Sequence, residues 1–158
     1  MRLLALLSAL IISLPLLRAD DAKEPPPALK SLVETLINAA NAGDWATLAA
    51  HSNTPSLYGD GIYNDFKGIK SAINTYTEGI PHKLLKVETV DVKAVRSEFS
   101  KEARQFVAEN DQLVRVRFEK NDKGKTTTSS TLLIFRKVQD QTLLAGSIFD
   151  PDKTKEGK

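Results

Sequence analysis

The sequence contains no cysteine, and this absence excludes several kinds of chemistry. Without thiols the chain has no disulfide, no thiolate-ligated metal ion and no cysteine nucleophile. Histidine is also scarce, and the 2 histidines, His51 and His82, form no His-x-x-x-His or His-x-Asp pattern. We therefore expect no metal ion, and no motif indicates a bound cofactor.

Acidic side chains are absent from residues 1–19, which have the composition of a secretory signal peptide. Arg2 precedes an almost entirely apolar run that is shorter than the roughly 20 residues of a membrane span. We predict cleavage after Ala19, with Ala22 as the alternative site. The product would be a secreted, extracellular protein without a membrane anchor. An uncleaved N-terminal anchor is the competing interpretation.

The chain has no strong excess of charge, with 22 Lys and Arg against 20 Asp and Glu. Removal of residues 1–19 would take away Arg2 and Arg18 and leave 20 of each sign. A nucleic acid partner is not expected, because it requires a basic surface. The sequence also has no Asn-x-Ser/Thr sequon, so N-glycosylation is not expected.

The length of 158 residues fits a single domain, for which roughly 100–200 residues are typical. Residues 20–27 form a proline-rich leader that ends in consecutive prolines, which favour an extended chain. We assign residues 28–150 to the domain. Residues 151–158 are rich in charged residues and are predicted to be a disordered tail.

A short polar hinge over residues 41–48 organises the first half of the chain. Apolar residues recur at helical spacing before it, which predicts a first helix over residues 28–42. Gly43 suits the left-handed position just past a helix end. Asp44 suits the N-cap of a second helix, which ends near Ser52.

The segments that follow are predicted from apolar spacing and from turn residues. In chain order they are a turn over 53–56, a hairpin over 57–65, a third helix over 67–79, a long strand over 83–97, a fourth helix within 100–109, and strands over 113–120, 125–138 and 142–149. A change of face near Glu88 and Thr89 predicts a β-bulge in the long strand. A continuous strand is the alternative to the fourth helix.

The strand over residues 113–120 alternates apolar and polar residues, which predicts one buried and one solvent-exposed face. Arg115 and Arg117 are assigned to the solvent-exposed face. Thr127 and Ser129 of the next strand are assigned to the same face.

Helices followed by antiparallel strands predict an α+β fold: a curved antiparallel sheet with three helices of the N-terminal half packed on its concave face. The chain resembles the nuclear transport factor 2-like superfamily (ketosteroid isomerase-like, SnoaL-like), whose fold is a cystatin-like cone. The motifs that carry the resemblance are Ala-Gly-Asp-Trp-Ala-Thr-Leu (42–48), Leu-Tyr-Gly (57–59), Phe-Lys-Gly-Ile-Lys-Ser-Ala-Ile (66–73), Thr-Leu-Leu-Ile-Phe-Arg-Lys (131–137) and Leu-Ala-Gly-Ser-Ile-Phe (144–149). Residues 98–112 depart from the pattern by their length.

The resemblance implies a pocket between the helices and the sheet, but the superfamily includes both enzymes and non-catalytic binders. The apolar face of the first helix carries no Tyr, Asp or His, and the inner strand positions carry no acidic residue, which indicates an apolar pocket rather than a catalytic one. Polar candidates for catalysis or ligand contact lie elsewhere in the chain. They are His51, Tyr58, Asp60, Tyr63, Asp65, Tyr76 and His82.

The favoured function is therefore that of a secreted, non-catalytic domain that holds a small apolar ligand in the cone or acts as a dimeric interaction module. The predicted ligand-binding residues are Trp45, His51, Tyr58, Asp60, Tyr63 and Tyr76. The resemblance also implies a homodimer through the open face of the sheet. The alternative function is a small isomerase or lyase in which His51 or Asp60 acts as the base.

Overall fold

The hinge between the first two helices has the predicted cap geometry. A computed structural model describes residues 23–150, and the predicted signal peptide and tail lie outside these residues. Helix α1 (Pro27–Ala42) ends at Gly43, which adopts the left-handed conformation with φ 68°. Asp44 then caps α2 (Trp45–Ala50) by accepting a hydrogen bond of 3.1 Å from the Thr47 amide.

In the described part of the chain six strands form one sheet, in which the β1–β6 pair is parallel and the other pairs are antiparallel. The strands are β1 (Ser52–Tyr58), β2 (Gly61–Tyr63), β3 (His82–Val90), β4 (Gln112–Asp122), β5 (Lys125–Val138) and β6 (Gln141–Phe149). They are arranged in the order β2-β1-β6-β5-β4-β3. The third helix, α3 (Phe66–Thr77), lies between β2 and β3 in the chain. The predicted α+β class and curved, mostly antiparallel sheet are confirmed.

The first three helices pack against the inner face of the sheet. Helix α1 buries a stripe at helical spacing, which consists of Leu29, Val33, Leu36 and Ala39. This stripe belongs to one core cluster with Leu48 of α2, Ile69 of α3 and Val116 of β4. The arrangement leaves a hollow between α1 and the strands.

The outer face of the sheet carries a second core. Helices α4 (Val92–Val95) and α5 (Lys101–Phe106), joined by a 3-10 turn at Arg96–Glu98, cover apolar residues of β4, β5 and β6. The predicted long strand over 83–97 is therefore wrong in its second half. Asp91 caps a short helix there by accepting a hydrogen bond of 2.9 Å from the Lys93 amide. The predicted fourth helix is α5, capped by Ser100.

The bulge in β3 also lies elsewhere than predicted. Its register against β4 shifts between Leu84 and Lys86, and not at Glu88 and Thr89. The predicted turn over 53–56 belongs to β1 instead. The pairing of β1 with β6 is interrupted over these residues, and Pro55 has no amide hydrogen to donate to the neighbouring strand.

The four polar residues assigned to one exposed face do not share a face. Arg117 pairs with Ser130, whereas Phe118 pairs with Ser129, so Ser129 lies on the inner face. Arg115 lies on the outer face but is only 1% exposed. It is buried because it forms an ion pair with Asp150, the last residue of the predicted domain.

The end of the predicted leader is attached to the domain. Lys23 forms an isolated antiparallel bridge with Thr89 of the edge strand β3, and Pro25 is buried. Pro27 already belongs to α1, where proline is favoured in the first turn. Within residues 23–150, no helix is long and apolar enough to cross a membrane.

Candidate functional site

A cavity of about 290 Å³ lies in the hollow between α1 and the inner face of the sheet. Its apolar lining includes Leu36, Ile37, Ala40, Ile73, Val116, Phe118, Leu133 and Leu144. The volume is close to the lower limit of the roughly 300–1,000 Å³ usual for small-molecule sites. Leu36 of the helical stripe and its neighbours Ile37 and Ala40 contribute the α1 side of this lining, and the odd-numbered positions 129–133 of β5 contribute to the sheet side.

Most polar groups in the cavity wall already have partners within the protein. The Thr131 and Ser147 hydroxyls are 2.8 Å apart, and Thr131 also donates to the Ile148 carbonyl at 2.9 Å. Lys120 Nζ donates to Glu78 at 2.9 Å. These internal bonds reduce the polarity that the wall presents to a bound molecule.

Asn41 fixes the backbone at the start of β3. Its amide nitrogen donates to the His82 carbonyl at 2.7 Å, and its oxygen accepts from the His82 amide at 2.9 Å. The His82 ring then lies edge-on to Phe118, with ring centroids 4.5 Å apart. Both residues line the cavity.

The half-buried position of His82 favours the neutral imidazole. Burial lowers its pKa below the ordinary 6.5, and the positive charge of Lys120 lowers this pKa further. Near neutral pH the His82 ring is therefore uncharged. It contributes an aromatic edge and a neutral nitrogen to the wall.

Tyr58 is the most deeply buried of the polar lining residues that have no side-chain hydrogen bond. Its side chain is 4% exposed, and its hydroxyl has no hydrogen-bond partner among the described residues. Burial raises the pKa of this phenol well above its ordinary value of 10, so the hydroxyl keeps its proton. The ring packs edge-on against Tyr63 with centroids 6.2 Å apart, which restricts its orientation.

Tyr76 and Phe149 form an exposed aromatic rim of the cavity. Both line it, their ring centroids are 6.2 Å apart, and their exposed fractions are 46% and 72%. The Tyr76 hydroxyl donates to the Tyr58 carbonyl at 3.2 Å. Gly59 makes this approach possible, because a Cβ atom there would lie 2.1 Å from the Tyr76 hydroxyl oxygen.

Of the six residues predicted to bind a ligand, the structure brings Tyr58 and Tyr76 to the cavity wall. Trp45, His51, Asp60 and Tyr63 are not among its lining residues. Trp45 instead packs against the inner core, with Lys70 Nζ 4.8 Å from its ring centroid.

His51 and Asp60 lie at the end of a helix and in a turn, outside the cavity wall. His51 ends α2, and its carbonyl accepts a hydrogen bond of 2.8 Å from the Leu144 amide. Asp60 is exposed in the turn between β1 and β2, and Asp65 caps α3. Among the described residues no carboxylate lines the cavity, and no cluster of His, Asp and Glu could hold a metal ion.

The sequence reasoning missed the hydroxyl pair of Thr131 and Ser147. The two residues lie on neighbouring strands, but a β-bulge in β6 shifts the register between Ile134 and Phe135. Simple alternation cannot anticipate such a shift. A signal was available in Gly146, whose position in an otherwise apolar strand is typical of a bulge or a close backbone contact.

No protein-family model and no curated protein matches the sequence. Solved structures do match. An uncharacterized protein with a cystatin-like fold from Caulobacter vibrioides has a TM-score of 0.53 at 12% identity, over 82% of this chain and 93% of that one. An NTF2-like protein of unknown function from Pseudomonas putida has a TM-score of 0.53 at 10% identity, over 77% and 82%. The protein Aln2 from a Streptomyces species has a TM-score of 0.52 at 10% identity, over 85% and 98%.

The chain thus has the nuclear transport factor 2-like fold, as its sequence predicts. At 10–12% identity the likeness is one of fold alone. Function has to be argued from the cavity.

Proposed function

We propose that this protein is a non-catalytic binding protein that holds a small, mainly apolar molecule in the cavity between α1 and the sheet. The observation that carries the proposal is the composition of the wall, which is apolar in its interior and has aromatic residues at its rim. Such a site binds by removing the hydrophobic body of the ligand from water, which stabilises a complex by roughly 25 cal/mol per Å² of apolar surface. Association entropy offsets part of that gain.

The alternative enzyme with His51 or Asp60 as base has less support. A general base must lie within roughly 3 Å of the proton that it removes, and neither residue reaches the cavity wall. His82 does line the cavity, but no acidic residue among the described lining residues orients its ring. The arrangement supports binding better than proton transfer.

Titration with the neutral fluorescent probe N-phenyl-1-naphthylamine tests the proposal. We expect saturable binding to one site. Ala40→Phe places a large ring at a lining position of α1 and should abolish binding. Ala28→Phe introduces the same ring at an exposed position of the same helix and should not change it.

Two results would contradict the proposal. The first is an absence of saturable binding, and the second is an equal response of both variants, which would place the probe outside the cavity. Thermal denaturation of both variants shows whether a loss of binding comes from unfolding instead.

The cellular site of action and the oligomeric state belong to the same proposal. The signal-like residues 1–19 support export, so the ligand would be met outside the cell. A homodimer through the outer face would have to use the part of that face that α4 and α5 leave uncovered. Native mass spectrometry of the exported protein measures both its N-terminus and its subunit number.

A further inference from the structure

We infer that the ligand of this cavity is an uncharged molecule with a hydrogen-bond acceptor, such as a ketone or ester oxygen, which receives the hydroxyl hydrogen of Tyr58. The inference rests on the proposed function, because it assigns the chemical class of the molecule that the cavity binds. It adds a specific polar contact to a site otherwise described by its apolar wall.

The first observation is the unpaired state of the Tyr58 hydroxyl. The oxygen is buried and has no hydrogen-bond partner among residues 23–150, although Tyr58 lines the cavity. A buried hydroxyl without a partner costs roughly 1–3 kcal/mol, so such groups normally find one. A ligand oxygen in the cavity would supply this partner.

The second observation is that four other hydroxyls in the wall already have partners within the protein. Tyr76 donates to the Tyr58 carbonyl, and Thr131 donates to the Ile148 carbonyl. Ser147 is within 2.8 Å of Thr131, and Ser130 donates to Asp150 at 2.7 Å. Tyr58, by contrast, carries a fully buried hydroxyl whose hydrogen a ligand can accept without breaking a bond within the protein.

The third observation concerns charge. Among the described lining residues Lys120 is the cation, and its Nζ is bonded to Glu78. The His82 imidazole is neutral near pH 7, because burial and Lys120 lower its pKa. A carboxylate ligand would lose its hydration without gaining an unpaired cation, which is costly in an apolar cavity. A neutral acceptor avoids this cost.

The test compares three naphthalenes of nearly the same shape by isothermal titration calorimetry at pH 7.5. They are 2-acetylnaphthalene, 2-isopropenylnaphthalene and 2-naphthoate, which present a ketone oxygen, a methylene group and a carboxylate. Each is titrated into the wild-type chain and into Tyr58→Phe. Tyr63→Phe serves as the matched control, because it removes a hydroxyl from the neighbouring ring, which does not line the cavity.

We expect the wild-type chain to bind the ketone more tightly than the alkene and the carboxylate. Tyr58→Phe should weaken ketone binding by about 3- to 10-fold, as expected for loss of one hydrogen bond, and leave alkene binding unchanged. Tyr63→Phe should change neither. Because the Tyr58 hydroxyl has no partner among residues 23–150 and its burial is costly, the ligand-free Tyr58→Phe chain should melt at a temperature no lower than that of the wild type.

Each other outcome overturns a defined part of the account. Equal affinities for ketone and alkene, or equal effects of Tyr58→Phe on both, would refute the role of Tyr58 while the apolar cavity still binds. Preference for 2-naphthoate would refute the neutral ligand class. Failure of all three compounds to bind would refute the proposed function itself.

Discussion

Arg115 Nε donates a hydrogen bond of 2.9 Å to Asp150 Oδ2, and both side chains are almost completely buried on the outer face of the sheet. Ser130 donates to the same carboxylate oxygen at 2.7 Å. The ion pair fixes the residue that follows β6 against the middle strands. It therefore keeps in place the end of β6, where Phe149 contributes to the rim of the cavity.

Removal of this buried carboxylate should strongly destabilise the protein. Asp150→Ala leaves the Arg115 charge buried without this partner, and we expect a loss of about 3–5 kcal/mol in the free energy of unfolding. Urea denaturation measures the effect. Glu24→Ala removes one partner of an exposed ion pair with Lys30 and should change stability by no more than about 0.5 kcal/mol. Similar losses in both variants would contradict the structural importance of the buried pair.

The second prediction about stability concerns the inner core beneath α1. Leu36 is 3% exposed and belongs to the core cluster beneath α1. Leu36→Ala should cost about 2–5 kcal/mol, through lost apolar burial and the space left behind. Lys30→Ala on the exposed side of the same helix should change stability by less than about 0.5 kcal/mol. Equal shifts of the denaturation midpoint would show that the buried face of α1 is wrongly assigned.

Gly146 brings β1 close to β6, and its replacement should disturb both strands. A Cβ atom there would lie 1.9 Å from the Leu57 carbonyl oxygen, and the backbone has φ 151°. We expect Gly146→Ala to lower the free energy of unfolding by at least about 2 kcal/mol. Gly124→Ala is a useful control, since its Cβ would meet open space at a similarly strained φ of 85°. A Gly146 variant no less stable than the Gly124 variant would refute the close approach.

The lowered pKa of His82 predicts a defined pH dependence. Because the folded chain has the lower pKa, the unfolded chain binds more protons between the two values, and stability rises with pH there. The stability that neutral His82 contributes is fully present above the pKa of about 6.5 in the unfolded chain. It is lost as the pH falls towards the lower pKa in the folded chain. Between pH 7.5 and pH 5.5 the free energy of unfolding should fall less for His82→Gln than for the wild type, as measured by urea denaturation at both pH values. An NMR titration that gives His82 a pKa of 6.5 or higher would contradict this account.

The two residues of the alternative enzyme provide a direct functional comparison. His51→Ala and Asp60→Ala change positions outside the cavity wall, so binding of N-phenyl-1-naphthylamine should remain within about twofold of the wild type. Turnover of a small carbonyl or hydroxylated substrate that either variant abolishes, while still folded, would favour the enzyme instead.

Much of the fold follows from local patterns. The helical stripe of α1, the caps at Gly43 and Asp44, and the hairpin between β4 and β5 are all visible in the sequence, since each depends on neighbouring residues. These features are enough to predict the α+β class, whereas the cone and its pocket are implied by the resemblance to the nuclear transport factor 2-like superfamily.

The errors come from contacts between distant residues. Arg115 has the sequence context of a solvent-exposed residue, but it is buried in an ion pair with the distant Asp150. Val90, Val92 and Ala94 suggest a continued strand alternation, but α4 forms there instead and packs against the second core. The sequence predicts that Tyr58 lies near the ligand. It does not predict that the Tyr58 hydroxyl lacks a hydrogen-bond partner, because that depends on every residue around the folded cavity.

The measurement that tests the central claim most directly is a crystal structure of the protein with bound N-phenyl-1-naphthylamine. We expect density for the probe in the cavity, in contact with Leu36 and Ala40 of α1 and with Val116 of β4. Density for the probe only on the outer face or at the exposed surface, with the cavity holding none, would contradict the account.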